Sequence, residues 1–210
     1  MARDEVMQAL EAAVAADVAR ERGPRAWLRG RSRGARLALL AAAAAAEILL
    51  VVAWSPRAGL DDSPAARLAL TLGWASAIVL AASFHALRPL HRPPARRRIV
   101  AGILFVAVAA PIALAFLPDA HGAAAAPWYA CLGKGVALAV PLLLLSRALD
   151  RRAHAGRASA ALAAVAAGLT GFVGLGLHCP SNDALHLMCA HGTVPAVLLA
   201  AYIFFSARRV

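Results

Sequence analysis

Apolar residues in this chain fall into six long blocks that short polar segments separate. Each block is about 17 to 23 residues long, which matches the length that a helix needs to cross the hydrocarbon core of a bilayer. The separators contain Pro, Gly, Asp or Arg, which end helices and favour turns. The pattern predicts an all-α integral membrane domain over residues 35–207, with spans at 36–54, 66–87, 99–117, 129–147, 158–177 and 185–206.

The first 34 residues are the only sizeable segment outside these blocks. They lack the short apolar core and cleavage site of a signal peptide, so we expect the segment to be retained. Apolar side chains recur at helical spacing and predict a short amphipathic helix that Gly23 and Pro24 end. So short a helix cannot bury a core of its own, so it needs a protein partner, the membrane surface or the bundle. The candidate partner-binding residues on its apolar face are Met7, Leu10, Val14 and Val18.

The composition supports a membrane protein and also predicts its orientation. Hydrophobic residues make up 61% of the chain and charged residues 16%, while the net charge is +11. Of the 22 basic residues, 19 fall in the segments on one side of the predicted spans, and only Arg57, Arg67 and Lys134 fall on the other. Basic residues in short loops stay in the cytoplasm, which predicts cytoplasmic termini. Because membrane orientation accounts for the positive charge, we expect no direct binding of nucleic acid. The Arg-rich, Ala-rich composition is typical of GC-rich bacteria, so we expect a bacterial inner membrane.

Three cysteines and three histidines gather at the predicted periplasmic ends of the last three spans. Their spacing matches no standard zinc signature. On a regular α-helix His186 and Cys189 share a face, whereas Cys189 and His191 point in different directions, so at most four of the six side chains can meet. The six residues are Cys131, His178, Cys179, His186, Cys189 and His191.

The cysteines allow three interpretations. Cys131 and Cys179 could form a disulfide in an oxidising periplasm, or their thiolates could bind a soft metal such as zinc, cadmium or copper. Alternatively, the cysteines are small apolar fillers and the histidines cap helix ends. Their location at one end of the domain favours the first two interpretations.

Glu47 lies near the middle of the first predicted span, where an ionised carboxylate is costly and usually marks a pathway or a partner. The candidate partners on the second span are Thr71, Ser76, Ser83 and His85. A hydrogen bond between helices is favoured over a proton relay, because the predicted topology gives Glu47 no second titratable group at the same depth. The sequence holds no phosphate loop, catalytic triad order, paired carboxylates or HExxH motif, so we do not expect an enzyme.

The cysteine-bearing region resembles the NrsF-like family of bacterial six-helix membrane anti-sigma factors. The resemblance extends over the whole chain and is most specific in residues 131–192, at Leu177-His178-Cys179-Pro180 and His191-Gly192. It implies that the N-terminal helix holds an extracytoplasmic-function sigma factor, which a stress signal such as a heavy metal, an oxidant or light releases. The family's paired cysteines fall on Cys131 and Cys179, which would sense the signal with help from His178. Two alternatives are a small metal- or proton-coupled transporter and a structural subunit of a membrane complex.

The predicted topology can be tested with reporter fusions. Fusions at residues 95 and 153 should report the cytoplasm, because the arginines keep these two loops inside. Fusions at residues 60, 122 and 182 should report the periplasm. Alkaline phosphatase and green fluorescent protein give opposite readouts at each position. An exported signal at residue 95 would overturn the orientation.

Overall fold

The computed structural model describes residues 5, 8, 11–12, 16, 24–54, 65–88, 95–115, 127–149, 157–179, 181 and 183–207, and in this part of the chain it is helical without strands. Six helical stretches are long and apolar enough to cross a membrane. The predictions of an all-α fold and of six spans are therefore confirmed. The elements are α1 (Pro24–Gly30), α2 (Arg33–Trp54), α3 (Ala65–Ala86), α4 (Arg97–Ala115), α5 (Trp128–Leu149), α6 (Arg157–His178), α7 (Ala184–His186), a π-helix (Leu187–Gly192) and α8 (Val194–Ala207).

Helix α6 is the centre of the bundle. Eighteen of its 22 residues are buried, and most of them are Ala, Gly, Val or Leu. Since lipid is as apolar as these side chains, helices in a membrane associate through close packing rather than through the hydrophobic effect. Small residues on every face of α6 allow the surrounding helices to approach it closely.

Two glycines of α6 mark its closest contacts. A Cβ atom at Gly171 would lie 2.3 Å from the carbonyl oxygen of Gly135 in α5, and one at Gly168 would lie 2.5 Å from the Cα of Pro195 in α8. Neither position has room for a side chain, because the neighbouring atoms belong to the backbone or to a proline ring. These contacts fix how α5 and α8 pack on α6.

At one end of the bundle, which we call the arginine end, polar side chains of α2 and α6 bind the carboxyl ends of α3 and α5. Arg36 is 3% exposed and donates a hydrogen bond from Nη1 to the Leu149 carbonyl at 2.8 Å. Arg33 donates to the Phe84 carbonyl, and Ser159 Oγ donates to the Ala86 carbonyl at 2.6 Å. The last carbonyls of a helix lack partners within the helix and carry partial negative charge, which cations stabilise.

The last span differs from its prediction as one continuous helix over 185–206. It contains a π-helix over Leu187–Gly192, followed by α8 from Val194. Pro195 explains the interruption. In a regular α-helix its N–H would bond to the carbonyl of His191, four residues earlier, but a proline has no N–H and its ring collides with that carbonyl. Thr193 Oγ1 also donates to the Cys189 carbonyl at 2.5 Å, a bond that bends helices. By contrast, α4 and α5 continue through Pro111 and Pro141.

Before α1, whose Leu28 packs against the core, the structure describes five residues of the N-terminal segment. Residues 5, 8, 11, 12 and 16 are helical and exposed. The predicted partner-binding positions Met7, Leu10, Val14 and Val18 lie outside the described residues. The amphipathic helix and the cytoplasmic termini therefore stay predictions.

The close contact at Gly171 generates a stability prediction. Gly171→Ala should destabilise the bundle by about 1–3 kcal/mol, because the new methyl group overlaps the Gly135 carbonyl and forces α5 away from α6. Thermal unfolding of the detergent-solubilised protein measures the effect.

The matched control is Gly176→Ala on the same helix, where a Cβ meets no atom within 4 Å. This control should unfold at the wild-type temperature or above it, since Ala favours a helix over Gly. Equal unfolding temperatures for the two variants would contradict the close contact of α5 and α6.

Candidate functional site

Two thiols and one imidazole meet at the end of the bundle opposite the arginine end, which we call the cysteine end. Cys131 lies in the first turn of α5, Cys179 directly follows α6, and His186 ends α7. The Cys131 and Cys179 sulfurs are 3.8 Å apart although the residues are 48 positions apart, and Cys179 Sγ is 3.4 Å from His186 Nε2. Among the described His, Cys, Asp and Glu residues, these three form a group whose ligand atoms all lie within 4.8 Å of one another.

Local backbone bonds hold two of these residues in place. The Cys179 N–H donates to the Leu175 carbonyl at 2.7 Å, so Cys179 completes the last turn of α6. The Asp183 carboxylate caps the start of α7 by accepting the His186 N–H at 2.7 Å. An Asp at this position satisfies an N–H that the helix itself leaves without a partner. The loop between Cys179 and Asp183 is therefore anchored at both ends.

The three donor atoms lie inside an apolar shell. Cys131 and Cys179 are 3% and 2% exposed, and they pack in one cluster with Leu175, Ala190 and Val194. His186 is also buried. The shell excludes bulk water, so an ion that reaches the donors would have few competing ligands.

Two of the three distances among the donors match those around a tetrahedral metal ion, and the third, between Cys131 Sγ and His186, lies within 4.8 Å. With metal–sulfur bonds of about 2.3 Å and metal–nitrogen bonds of about 2.0–2.1 Å, tetrahedral angles place two sulfurs about 3.8 Å apart and a sulfur and a nitrogen about 3.5 Å apart. The observed distances are 3.8 Å and 3.4 Å. Two thiolates with one imidazole suit zinc or cadmium and leave a fourth position open.

A disulfide is the second chemistry that this pair allows. Both cysteines are free thiols in this structure, and their sulfurs would have to approach by nearly 2 Å to reach the bond length of about 2.05 Å. The reaction needs an oxidant and would exclude a metal, because the same two sulfurs take part in both. Metal binding and oxidation therefore stay as alternatives at one site.

The π-helix explains why the predicted ligand faces on the last span differ from the structure. His186 and His191 are five residues apart, which on an α-helix turns them about 140° away from each other. A π-helix forms its hydrogen bonds between residues five apart and so brings them toward one face, and here the two rings form an edge-to-face pair with centroids 5.6 Å apart. His191, 1% exposed, thus packs behind the ligand His186. Cys189, by contrast, is half-buried and stands outside the three-residue group.

His178 faces a different feature. The prediction placed it with Cys131 and Cys179, but its Nε2 lies 3.2 Å from Lys134 Nζ, and His186 takes its place beside the thiols. His178 and Lys134 line a cleft of about 680 Å³ between α2, α5 and α6 that also contains Glu47. Two titratable groups thus share a cleft with Glu47, which the sequence did not predict, and the hydrogen bond of Glu47 to the second span stays a prediction.

Sequence reasoning identified the cysteines from their position at the helix ends, but it could not choose among the histidines. The available signal was Asp183, three residues before His186, which favours a helix start at this point and fixes the direction of His186. No protein-family model matches this chain, and no curated protein or solved structure is significantly similar to it.

The ligand set can be tested by cadmium titration of the purified, reduced protein. Thiolate-to-cadmium charge-transfer absorption should report one Cd²⁺ per chain, and Cys131→Ser or Cys179→Ser should abolish it. His186→Ala should weaken binding by at least about tenfold, in line with the loss of a direct ligand.

Cys189→Ser and His178→Ala serve as matched controls and should bind as the wild type does. If His178→Ala weakens binding as much as His186→Ala, the ligand set is wrong. If cadmium absorption is absent from the wild type, the site is not a metal site.

Proposed function

We propose that this protein is a membrane anti-sigma factor that sequesters an extracytoplasmic-function sigma factor and releases it when a metal or an oxidant acts on Cys131 and Cys179. The observation that carries the proposal is the buried contact of these two thiols with His186 at the cysteine end. The resemblance of residues 131–192 to the NrsF-like family supplies the class of partner. The arginine-rich segments supply the expected orientation, with the thiols in the periplasm and the N-terminal helix in the cytoplasm.

The bundle offers a physical connection between the two ends. Cys131 lies in the first turn of α5, and Leu149, the last residue of α5, accepts the hydrogen bond of Arg36. Arg36 lies in the first turn of α2, directly after the N-terminal segment. A bridge between Cys131 and Cys179 that moves α5 along α6 would therefore also move the acceptor that holds the start of α2.

Such a signal requires two arrangements of α5 relative to α6 that bind the ligand with different affinities. A metal that binds both thiols and His186, or an oxidant that joins the two sulfurs, stabilises the arrangement in which Cys131 and Cys179 are closest. Either shifts the population toward one state. In this proposal, that state binds the sigma factor more weakly.

The predicted N-terminal helix would suit a soluble partner, because its sequence pattern gives it an apolar face and it is too short to bury a core of its own. Docking of an amphipathic helix into a groove uses apolar side chains three and four residues apart, as at Met7, Leu10, Val14 and Val18. The basic segments nearby would steer an acidic surface of the partner toward the membrane and affect mainly the rate of association.

A metal- or proton-coupled transporter is the main alternative, and the described core argues against it. A transport path needs polar groups across the membrane, whereas the layer between the cysteine end and the arginine end is built from apolar side chains such as Leu142, Leu162 and Leu169. A structural subunit would need neither the thiol pair nor the N-terminal helix. The experiments below separate the anti-sigma factor from both alternatives.

The substitution Leu10→Asp should release the sigma factor and raise transcription from its promoters without an inducer, because burying a carboxylate in an apolar groove costs several kcal/mol. Co-purification with the sigma factor and a promoter reporter measure the two effects. The control is Gln8→Asp, which adds the same charge at an exposed position. It should keep both binding and repression.

The double variant Cys131→Ser/Cys179→Ser should keep repression but lose induction by cadmium or oxidant, and either single variant should lose as much, because one bridge needs both sulfurs. Normal induction in the inserted double variant contradicts the sensing role. Unchanged binding in Leu10→Asp contradicts the docking role of the helix.

A further inference from the structure

The cleft between α2, α5 and α6 is separate from the thiol site and has its own chemistry. Its volume of about 680 Å³ falls in the range of small-molecule sites. Its walls are mostly apolar and come from Leu50 and Val51 of α2, Leu138 and Pro141 of α5 and Leu175 of α6. Several wall residues, Leu50 among them at 64%, are exposed at the surface of the bundle. A ligand would therefore enter sideways from the lipid.

Two opposite charges lie in this cleft at a similar depth. Arg36 of α2 binds the last carbonyl of α5, so the two helices run in opposite directions and Trp54 lies at the same end as Trp128. Glu47 is seven residues from Trp54 and Lys134 is six residues from Trp128, which places each about 9–11 Å from that end. Charged groups at such a depth are costly and are kept for a partner or a ligand.

One atom of the Glu47 and Lys134 pair has no hydrogen-bond partner among the described residues. Glu47 Oε2 is buried and makes no hydrogen bond among the described residues. Lys134 Nζ lies 3.2 Å from His178 Nε2, so the imidazole holds the ammonium group at the wall of the cleft. One hydrogen-bond acceptor and one donor thus face a common apolar space from different helices.

We propose that this cleft binds a lipid-soluble quinone or its quinol. The formal charges of Glu47 and Lys134 cancel, which favours a neutral headgroup over the phosphate of a phospholipid or the carboxylate of a fatty acid. A quinone ring carries two oxygens, of which one accepts a hydrogen bond from Lys134 while the other, as a hydroxyl in the quinol, donates one to Glu47. The apolar walls at Leu50, Leu138 and Pro141 take the isoprenoid tail, and Trp54 offers an aromatic face beside the ring.

This inference is independent of the proposed anti-sigma activity, because binding is measured on the purified chain alone. The full-length protein is placed in nanodiscs of phosphatidylethanolamine and phosphatidylglycerol that contain no quinone, and decylubiquinone is added while tryptophan fluorescence is recorded. The expected result is a saturable quench that Trp54→Phe removes and Trp128→Phe keeps. A quench that only rises in proportion to added quinone, as simple partition into lipid gives, overturns the proposal.

Substitutions then locate the ligand. Lys134→Met should weaken the binding of decylubiquinone at least tenfold, and Glu47→Leu should weaken the binding of the quinol, decylubiquinol, at least tenfold. Ala137→Phe should fill the cleft and abolish binding, whereas Val140→Phe, on the same helix but outside the cleft, should bind like the wild type. Circular dichroism confirms that each variant is folded, and equal affinity for Ala137→Phe and Val140→Phe overturns the assignment of the cleft.

Competition separates the quinone from other occupants. Oleate should not displace decylubiquinone, and its affinity should stay the same in nanodiscs with and without phosphatidylglycerol. Displacement by oleate, or tighter quinone binding when phosphatidylglycerol is left out, would show that the cleft holds an ordinary anionic lipid. Light scattering should give a single chain per particle with the cleft available. A dimer that prevents quinone binding would show that a second copy of the chain covers this face.

Discussion

Close packing around α6 is the constraint on which the rest of this structure depends. Helices in a bilayer gain little from burying apolar side chains, so a bundle needs positions where backbones touch. Here Gly171 meets the Gly135 carbonyl and Gly168 meets Pro195, which joins α5 and α8 to the same central helix. Because Cys179 follows α6 directly and Cys131 begins α5, the contact at Gly171 also determines how far apart the two thiols lie.

The two polar features at the cysteine end share α6 but face different surroundings. Cys131 and Cys179 pack in an apolar cluster with Leu175, and His186 beside them is also buried, so soft-metal or thiol chemistry would proceed there away from bulk solvent. His178 precedes Cys179 by one residue and borders the cleft that opens on the surface of the bundle. Leu175 lines the cleft and also packs against the thiols, so it forms the wall between the two sites.

Much of the fold could be predicted from the sequence, because the length of an apolar block is set by the bilayer and each helix satisfies its own backbone. The limits of all six spans agree with the structure to within three residues. The π-helix could not be predicted from Pro195 alone, because Pro111 and Pro141 also stand within apolar spans and those helices stay α-helical. The π-helix also changes which histidines lie close together. Regular α-helical spacing separates His186 from His191, and His178 was paired with Cys179 only because the two residues are adjacent in the sequence. The cleft depends on which helices are neighbours, and hydropathy does not contain that information.

The burial of α6 also has a consequence for how the protein is made. This helix is the fifth of the six spans to emerge from the ribosome, yet it ends up surrounded by the others. Spans that are inserted earlier therefore have to leave a gap, or separate again, to admit it. The sixth span can pack against Gly168 only after Pro195 has been synthesised and inserted. Membrane insertion and final packing are for this reason distinct stages, and a nascent chain that stops before residue 184 exposes to lipid the surface of α6 that α8 covers in the finished bundle.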